Sequence, residues 1–258
     1  MKIVAVIPAR MNSSRFPGKP LEKICGMPMI GHCYKRALMS NLLDDVYVAT
    51  CDDEIYQYIK SIGGKVLMTK DTHEMACDRA AEAMIKIEKI KDFKIDILLM
   101  LQGDEPMVTA RSINDVLKPM INDNTILIAN LYKELNSVEE FNDPNEVKVI
   151  LNKFSNAMYF SREPIPSRKK GVLDVPMYKQ ICSIPFRRDF LIEFSKMKRT
   201  PLEIIEGIDM NRILENGTNV RMVYSKDESF SVDCEEDLKK VRETMQNDPL
   251  LKKYIYED

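Results

Sequence analysis

Histidine is scarce in this chain of 258 residues, which has only His32 and His73, and the six cysteines (Cys25, Cys33, Cys51, Cys77, Cys182, Cys234) form no C-x-x-C. These shortages argue against a zinc framework or a disulfide scaffold and leave the cysteines as reduced, buried thiols. Net charge is missing too. The 38 Lys and Arg residues against 40 Asp and Glu give −2, which supplies no global basic field for nucleic acid. No apolar run reaches membrane-spanning length, and the opening Met-Lys passes straight into a β-like run without a signal-peptide pattern. A cytoplasmic protein with no membrane partner is expected. Two glycine signatures are also absent. There is no G-x-G-x-x-G, and "NSSRFPGKPL" has Gly-Lys without the earlier Gly or the following Ser/Thr of a Walker A loop.

What is present is alternation. With 45% hydrophobic residues the chain can bury a large core. Short apolar runs, "KIVAVIPA", "DVYVAT", "KVLMT" and "DILLMLQ", alternate with "DEIYQYIKSIGG", "CDRAAEAMIKIEKI" and "TARSINDVLKPMIND", where apolar residues recur at helical spacing. That order predicts an α/β fold with a parallel sheet, whose ligands bind beyond the carboxyl ends of the strands. Later runs, "EVKVILN", "AMYFSR" and "MYKQICSIPFRR", read as antiparallel strands or a small subdomain. "TPLEIIEGIDMNRILENG" reads as a helix with Thr200 as N-cap, Pro201 first, Glu203 closing a capping box and Gly217 at the stop. "NVRMVYS" is a further strand and "CEEDLKKVRETMQN" a last helix. With no long polar linker, residues 1–258 are expected to form a single domain.

Three places carry chemistry. The loop after the first strand holds Arg10, Arg15 and Lys19 with almost no counter-charge, stiffened by Pro17 and Pro20. It reads as a phosphate cradle outside the Walker pattern or as a solvated basic loop. "LLMLQGDEPM" sends a buried strand into Gln102, Gly103 and Asp104, where an acid can hold Mg²⁺ against a phosphate, although Gly-Asp and Pro also make ordinary turns. In "SFSVDCEEDL", Asp233 precedes a helix and reads as an N-cap by itself, or as the second carboxylate of a metal site with Asp104.

The runs "IPAR…SRFPGKPL…ICGMPMI", "QGDEPM", "NEVKVIL", "YFSREPIP", "PLEIIEGIDMNRILENG" and "VDCEEDL", in that order across nearly the whole chain, resemble the 3-deoxy-manno-octulosonate (Kdo) cytidylyltransferases, the CMP-Kdo synthetases. The resemblance implies a nucleotidyltransferase-type, Rossmann-like, mostly parallel sheet flanked by helices with a small antiparallel subdomain. It also implies Mg²⁺-dependent transfer of CMP from CTP to an acidic sugar, a homodimer, a place in lipopolysaccharide or capsule biosynthesis, and an acceptor-binding and dimerisation portion around residues 130–200. It places Pro8, Ala9, Arg10, Arg15, Lys19, Arg79 and Gln102 on the nucleotide, with Asp104 and Asp233 on the metal. Arg10, Lys19, Asp104 and Asp233 are the catalytic set it implies, and Gln102, Arg162, Gln180, Arg187, Glu203 and Glu206 face the acceptor. For Glu203 the capping box is already a sufficient explanation.

Two stretches depart from the family. Its His-x-Ser-Gly-Thr-(Asp/Glu)-Arg stretch is "HEMACDR" here, keeping His73, Asp78 and Arg79 but placing Met75, Ala76 and Cys77 where hydroxyls would help read cytosine. Its His-x-Gly-Ile-Tyr-x-Tyr-Arg strand is "QICSIPFR", with Gln180, Ile184 and Phe186 in place of the histidine and tyrosines, and Arg187 retained. The expectation is an acidic acceptor other than Kdo itself, such as an altered sugar acid, an amino-sugar acid, a nonulosonate or a phosphonate.

Overall fold

A computed structural model describes residues 1–12, 16–228 and 230–255. The chain folds as two compact units, one from residues 1–114 with the segment from Asp227 onward, the other from Asp115–Lys226.

In the first unit, strand β1 (Ile3–Ala9) is buried along its whole length, as a near-continuous β-branched and apolar run must be in a parallel sheet. A two-stranded ribbon, β2 (Lys23–Ile24) and β3 (Met27–Pro28), turns through Cys25 and Gly26 at positive φ. Helix α1 (Met29–Ala37), strand β4 (Asp45–Thr50), helix α2 (Asp53–Ser61), strand β5 (Val66–Met68), helix α3 (Ala76–Lys91) and strand β6 (Ile97–Leu101) follow. The parallel strands lie in the order β6-β1-β4-β5, with Val4 opposite Asp45 and Ile3 opposite Ile97. All five β6 side chains are buried, and each contributes about 1.5–3 kcal/mol of hydrophobic stabilisation. Helix α4 (Ala110–Asn122) then carries the chain onward, with Pro119 in its interior.

The second unit contains β7 (Ala129–Glu134), helix α5 (Val138–Asn142), β8 (Lys148–Leu151), β9 (Ala157–Ser161), β10 (Tyr178–Ile181), β11 (Ser183–Arg187), the helices α6 (Arg188–Phe194), α7 (Pro201–Glu206) and α8 (Met210–Glu215), and β12 (Arg221–Tyr224). Its sheet runs β12-β7-β10-β8-β9 and is antiparallel except where β12 meets β7. Back in the first unit, helix α9 (Glu235–Met245) leads to a short 3-10 turn at Leu251–Lys253.

Two sequence expectations are corrected. The helix expected over "TPLEIIEGIDMNRILENG" is two helices, because Gly207 takes φ 65 and closes α7 as a left-handed cap. The single strand expected over "MYKQICSIPFRR" breaks at Cys182 into β10 and β11. Ile184 and Phe186 are therefore core residues, 2% and 0% exposed, with Phe186 stacked on Phe194. Among the described residues no cysteine is in a disulfide, and no helix is long and apolar enough to cross a membrane.

Candidate functional site

The carboxyl ends of β1 and β6 release the chain into the two loops that the sequence singled out. They approach closely because position 103 is glycine: a Cβ there would lie 3.2 Å from the Pro8 carbonyl oxygen and 3.1 Å from Ile30 Cδ1. A cleft of about 250 Å³ opens between them, lined by Pro8, Ala9, Arg10, Lys19, Arg79, Gln102 and Asp104, together with His73, Met75 and Ala76. Arg15 lies outside the described residues.

Lys19 is the centre of this arrangement. It starts a 3-10 turn after Gly18, whose φ of 79 suits glycine. Its ammonium lies 2.6 Å from Asp104 Oδ2, 3.4 Å from Asp233 Oδ1 and 2.9 Å from the Val232 carbonyl oxygen. The Val232 N–H donates to the Asp104 carbonyl oxygen at 2.9 Å, which joins the two acidic segments. Asp233 is not the N-cap of α9. Cys234 takes that position, and Asp237 Oδ2 accepts from the N–H groups of both Asp233 and Cys234.

Two carboxylates and a carbonyl oxygen already grouped around one cation make a donor set suited to Mg²⁺, which commonly takes one or two protein carboxylates and completes its shell with phosphate and water. Among the described residues no group of three or more His, Cys, Asp or Glu side chains could hold a metal alone, so the remaining oxygens would have to come from the substrate.

The other wall is α3. Its N-cap, Met75, supplies no side-chain hydrogen bond. Cys77 is buried in the core. Arg79 is 3% exposed; its Nη1 donates to the Thr69 hydroxyl and the Lys70 carbonyl, while Nη2 has no hydrogen-bond partner among the described residues. His73 pairs with Glu82. Burial opposes ionisation of Glu82, but bonds from Lys86, His73 and the Lys70 N–H outweigh it and hold that carboxyl below its usual range. Arg10 is exposed and, among the described residues, donates to the His73 carbonyl at 3.5 Å.

In the second unit the expected acceptor residues separate. Glu206 accepts from the Tyr159 and Ser161 hydroxyls and the Arg162 N–H, at 2.9, 2.8 and 2.8 Å. Burial raises the Glu206 carboxyl, but these three bonds prevail and lower it. Arg162 Nε donates to the Glu206 carbonyl, and Nη1 to that of Pro144. Gln180 is half-buried on β10, opposite Tyr132. Glu203 is fully buried, closing the capping box of α7 and pairing with Arg212 Nη2 at 2.8 Å. Arg187 donates to the main-chain carbonyls of Met120, Asp123 and Ile126. Both are committed within their own unit.

Sequence reading missed the Val232 carbonyl, for which a side-chain pattern has no signal. It also missed Tyr159 and Ser161, whose alternation along β9 could have placed both on the Glu206 side of the strand.

Comparison with known proteins gives concordant results. A family model described as "Cytidylyltransferase" matches residues 4–240. The 3-deoxy-manno-octulosonate cytidylyltransferase of Geobacter metallireducens is 38% identical over 255 residues, covering 95% of this chain and 98% of that protein. The protein of the same name from Fusobacterium nucleatum is 39% identical over 242 residues, covering 93% and 96%. A solved CMP:2-keto-3-deoxy-manno-octonic acid synthetase complexed with CTP superposes with a TM-score of 0.88 at 37% identity, covering 95% of this chain and 99% of that one.

Proposed function

We propose, from the premise that this chain belongs to the cytidylyltransferase family, that it transfers CMP from CTP to an acidic sugar of the 3-deoxy-2-ulosonate class, Kdo or a relative, and releases pyrophosphate. The chain is a CTP-dependent nucleotidyltransferase, with the α/β nucleotidyltransferase fold and a second sheet. The observation that carries the proposal is the Lys19 ammonium held between Asp104 and Asp233 beside a cleft lined with cations.

In the proposed reaction the acceptor hydroxyl oxygen bonds to the α-phosphorus while the bond from that phosphorus to the β-bridging oxygen breaks. Pyrophosphate leaves with the electron pair, and the hydroxyl proton passes to solvent. Phosphoryl-type transfer asks the protein chiefly for positioning and charge stabilisation. Arg10, Arg15 and Lys19 hold the β- and γ-phosphates, where charge accumulates on the leaving group. The backbone N–H groups at the start of α3, with Pro8, Ala9 and Arg79, enclose a pyrimidine-sized base. Gln102 contacts the ribose or the acceptor. Asp104 and Asp233 would hold Mg²⁺, which when bound supplies charge neutralisation at the α-phosphate and lowers the pKa of the attacking hydroxyl.

On the acceptor side the proposal keeps Arg162, Glu206 and Gln180. It assigns Glu203 and Arg187 to the internal bonding of the second unit. With Ile184 and Phe186 in the core, altered acceptor selectivity now rests on Gln180, which cannot ionise as a histidine does. Residues 130–200 supply the acceptor-binding and dimerisation portion of a cytoplasmic homodimer, which sedimentation equilibrium of the full chain tests.

The deciding experiment measures pyrophosphate release from CTP and Mg²⁺ with Kdo, an amino-sugar acid, a nonulosonate and a phosphonate. Saturable release with a 3-deoxy-2-ulosonate supports the proposal, and faster use of another acid reassigns the acceptor. Release with none of them overturns it.

A further inference from the structure

The segment after α9 belongs to none of the functional motifs, yet Tyr254 and Asp248 bond to His32 and Arg36 of α1, which in turn bond the main chain at Ile24 and Met107. We propose that Tyr254, acting with Arg36 and His32, is a positioning residue that ties the Lys19 loop to the Asp104 turn and so sets the Lys19–Asp104–Asp233 spacing. The inference rests on the functional reading above for what that spacing does.

Arg36 lies in α1 and is 1% exposed. It donates from Nε to the Tyr254 hydroxyl at 3.1 Å, from Nη1 to the Met107 carbonyl at 3.3 Å, and from Nη2 to the Asp248 carboxylate. A guanidinium this deeply buried requires such a charged partner. The Tyr254 hydroxyl lies 2.7 Å from His32 Nδ1, and His32 Nε2 lies 2.7 Å from the Ile24 carbonyl oxygen.

For a neutral imidazole, one proton arrangement satisfies every contact. The Ile24 carbonyl can only accept, so Nε2 carries the hydrogen. Nδ1 must then accept from the tyrosine, whose oxygen accepts in turn from Arg36. Burial, the leading cause, lowers the His32 pKa to about 4, consistent with a neutral ring.

The two ends of this relay are significant. Ile24 is in β2, directly after the turn that begins at Lys19, and Met107 ends the turn that carries Asp104. Ile24, Met107, Leu251 and Tyr254 also share one apolar cluster with Val232, whose carbonyl holds Lys19 and whose neighbour is Asp233. The relay therefore ends on the main chain of two catalytic segments, and the cluster includes the third. Displacements of about 1 Å in such segments can cost about a hundredfold in rate.

Tyr254→Phe keeps the ring and its packing but removes the hydroxyl, leaving His32 Nδ1 and Arg36 Nε unpaired. The expected result is a fall in kcat of about tenfold with KM for CTP within about twofold. Hydrogen exchange should also speed up in peptides spanning residues 19–24 and 102–107 but not in the second unit. His32→Gln retains one acceptor and one donor and should stay within about threefold of wild-type kcat, whereas His32→Leu should behave like Tyr254→Phe. Ile213→Val, a core change in α8 of the second unit, serves as a destabilised control with unchanged kcat.

Unchanged exchange in both loops, or a uniform rise across both units, overturns the positioning role. So does a kcat for Tyr254→Phe equal to wild type. Because exchange is read on the free protein, absence of pyrophosphate release with every acceptor would overturn the functional reading and leave the exchange result standing.

Discussion

The two loops of the first unit and the acceptor-side residues of the second contain the same kinds of side chain but use them differently. In the first, charge remains available for a ligand. Arg10 is exposed, and Lys19 sits between two carboxylates in a cleft open to solvent. In the second, Glu203 and Arg187 are absorbed by bonds inside their own unit. Charged residues in family-like motifs thus divide by where they sit: Lys19 is bonded yet lines a cleft, whereas Glu203 is bonded and fully buried.

The comparison breaks most decisively at Asp104. Asp104→Asn, and separately Asp233→Asn, should reduce turnover by about 10³-fold or more without changing the melting temperature. Near-wild-type pyrophosphate release by either variant would remove that acid from the metal site. Lys19→Ala should lower kcat/KM for CTP by about a hundredfold but weaken CMP binding no more than about threefold, since the charge it meets is on the outer phosphates. Equal losses for CMP and CTP in calorimetry would mean the loop does not select the triphosphate.

The contrast within the second unit is sharpened by two isosteric changes. Glu206→Gln should raise acceptor KM by about tenfold. Glu203→Gln should leave acceptor KM unchanged and cost about 3 kcal/mol in urea unfolding, because it strands the buried Arg212 charge. Reversed outcomes would exchange their roles.

The smallest effect is a pH dependence within the first unit. The folded-state pKa of His32 lies below its ordinary value, so between the two values the unfolded chain binds a proton that the folded chain does not. Stability therefore rises with pH through that window and is lost on acidification, by about 1 kcal/mol from pH 7 to 5.5. Comparing wild type with His32→Gln isolates this contribution, and parallel pH profiles would show that His32 is not its source.

Much of the first unit was legible because β1, β4 and β6 are buried runs with turn chemistry at their ends, and alternation with helices points to a parallel sheet. The "DVYVAT" strand coincides with Asp45–Thr50. The sequence reading passed over α1 and β7, whose side chains mix polar and apolar types. Of the two readings of Asp233, N-cap or second metal carboxylate, the N-cap one fails because Cys234 holds that position; helix starts are fixed by backbone geometry that Asp and its neighbour can each satisfy. The core burial of Ile184 and Phe186 was illegible for a different reason. A break at Cys182 changes which face later residues present, and periodicity carries no record of it. Tyr254 lay in a stretch without motif or period, and only the folded chain brings it to His32 and Arg36.

The lysine between Asp104 and Asp233 has a thermodynamic consequence. While its ammonium occupies that position it competes with a divalent ion for the same oxygens, so metal alone should bind poorly. A nucleotide whose outer phosphates draw Lys19 away would free both carboxylates, raising affinity for the ion. Linkage makes the relation reciprocal: whatever factor CTP adds to Mg²⁺ affinity, Mg²⁺ adds to CTP affinity. The side chain that neutralises the two carboxylates would thus make nucleotide and metal bind cooperatively.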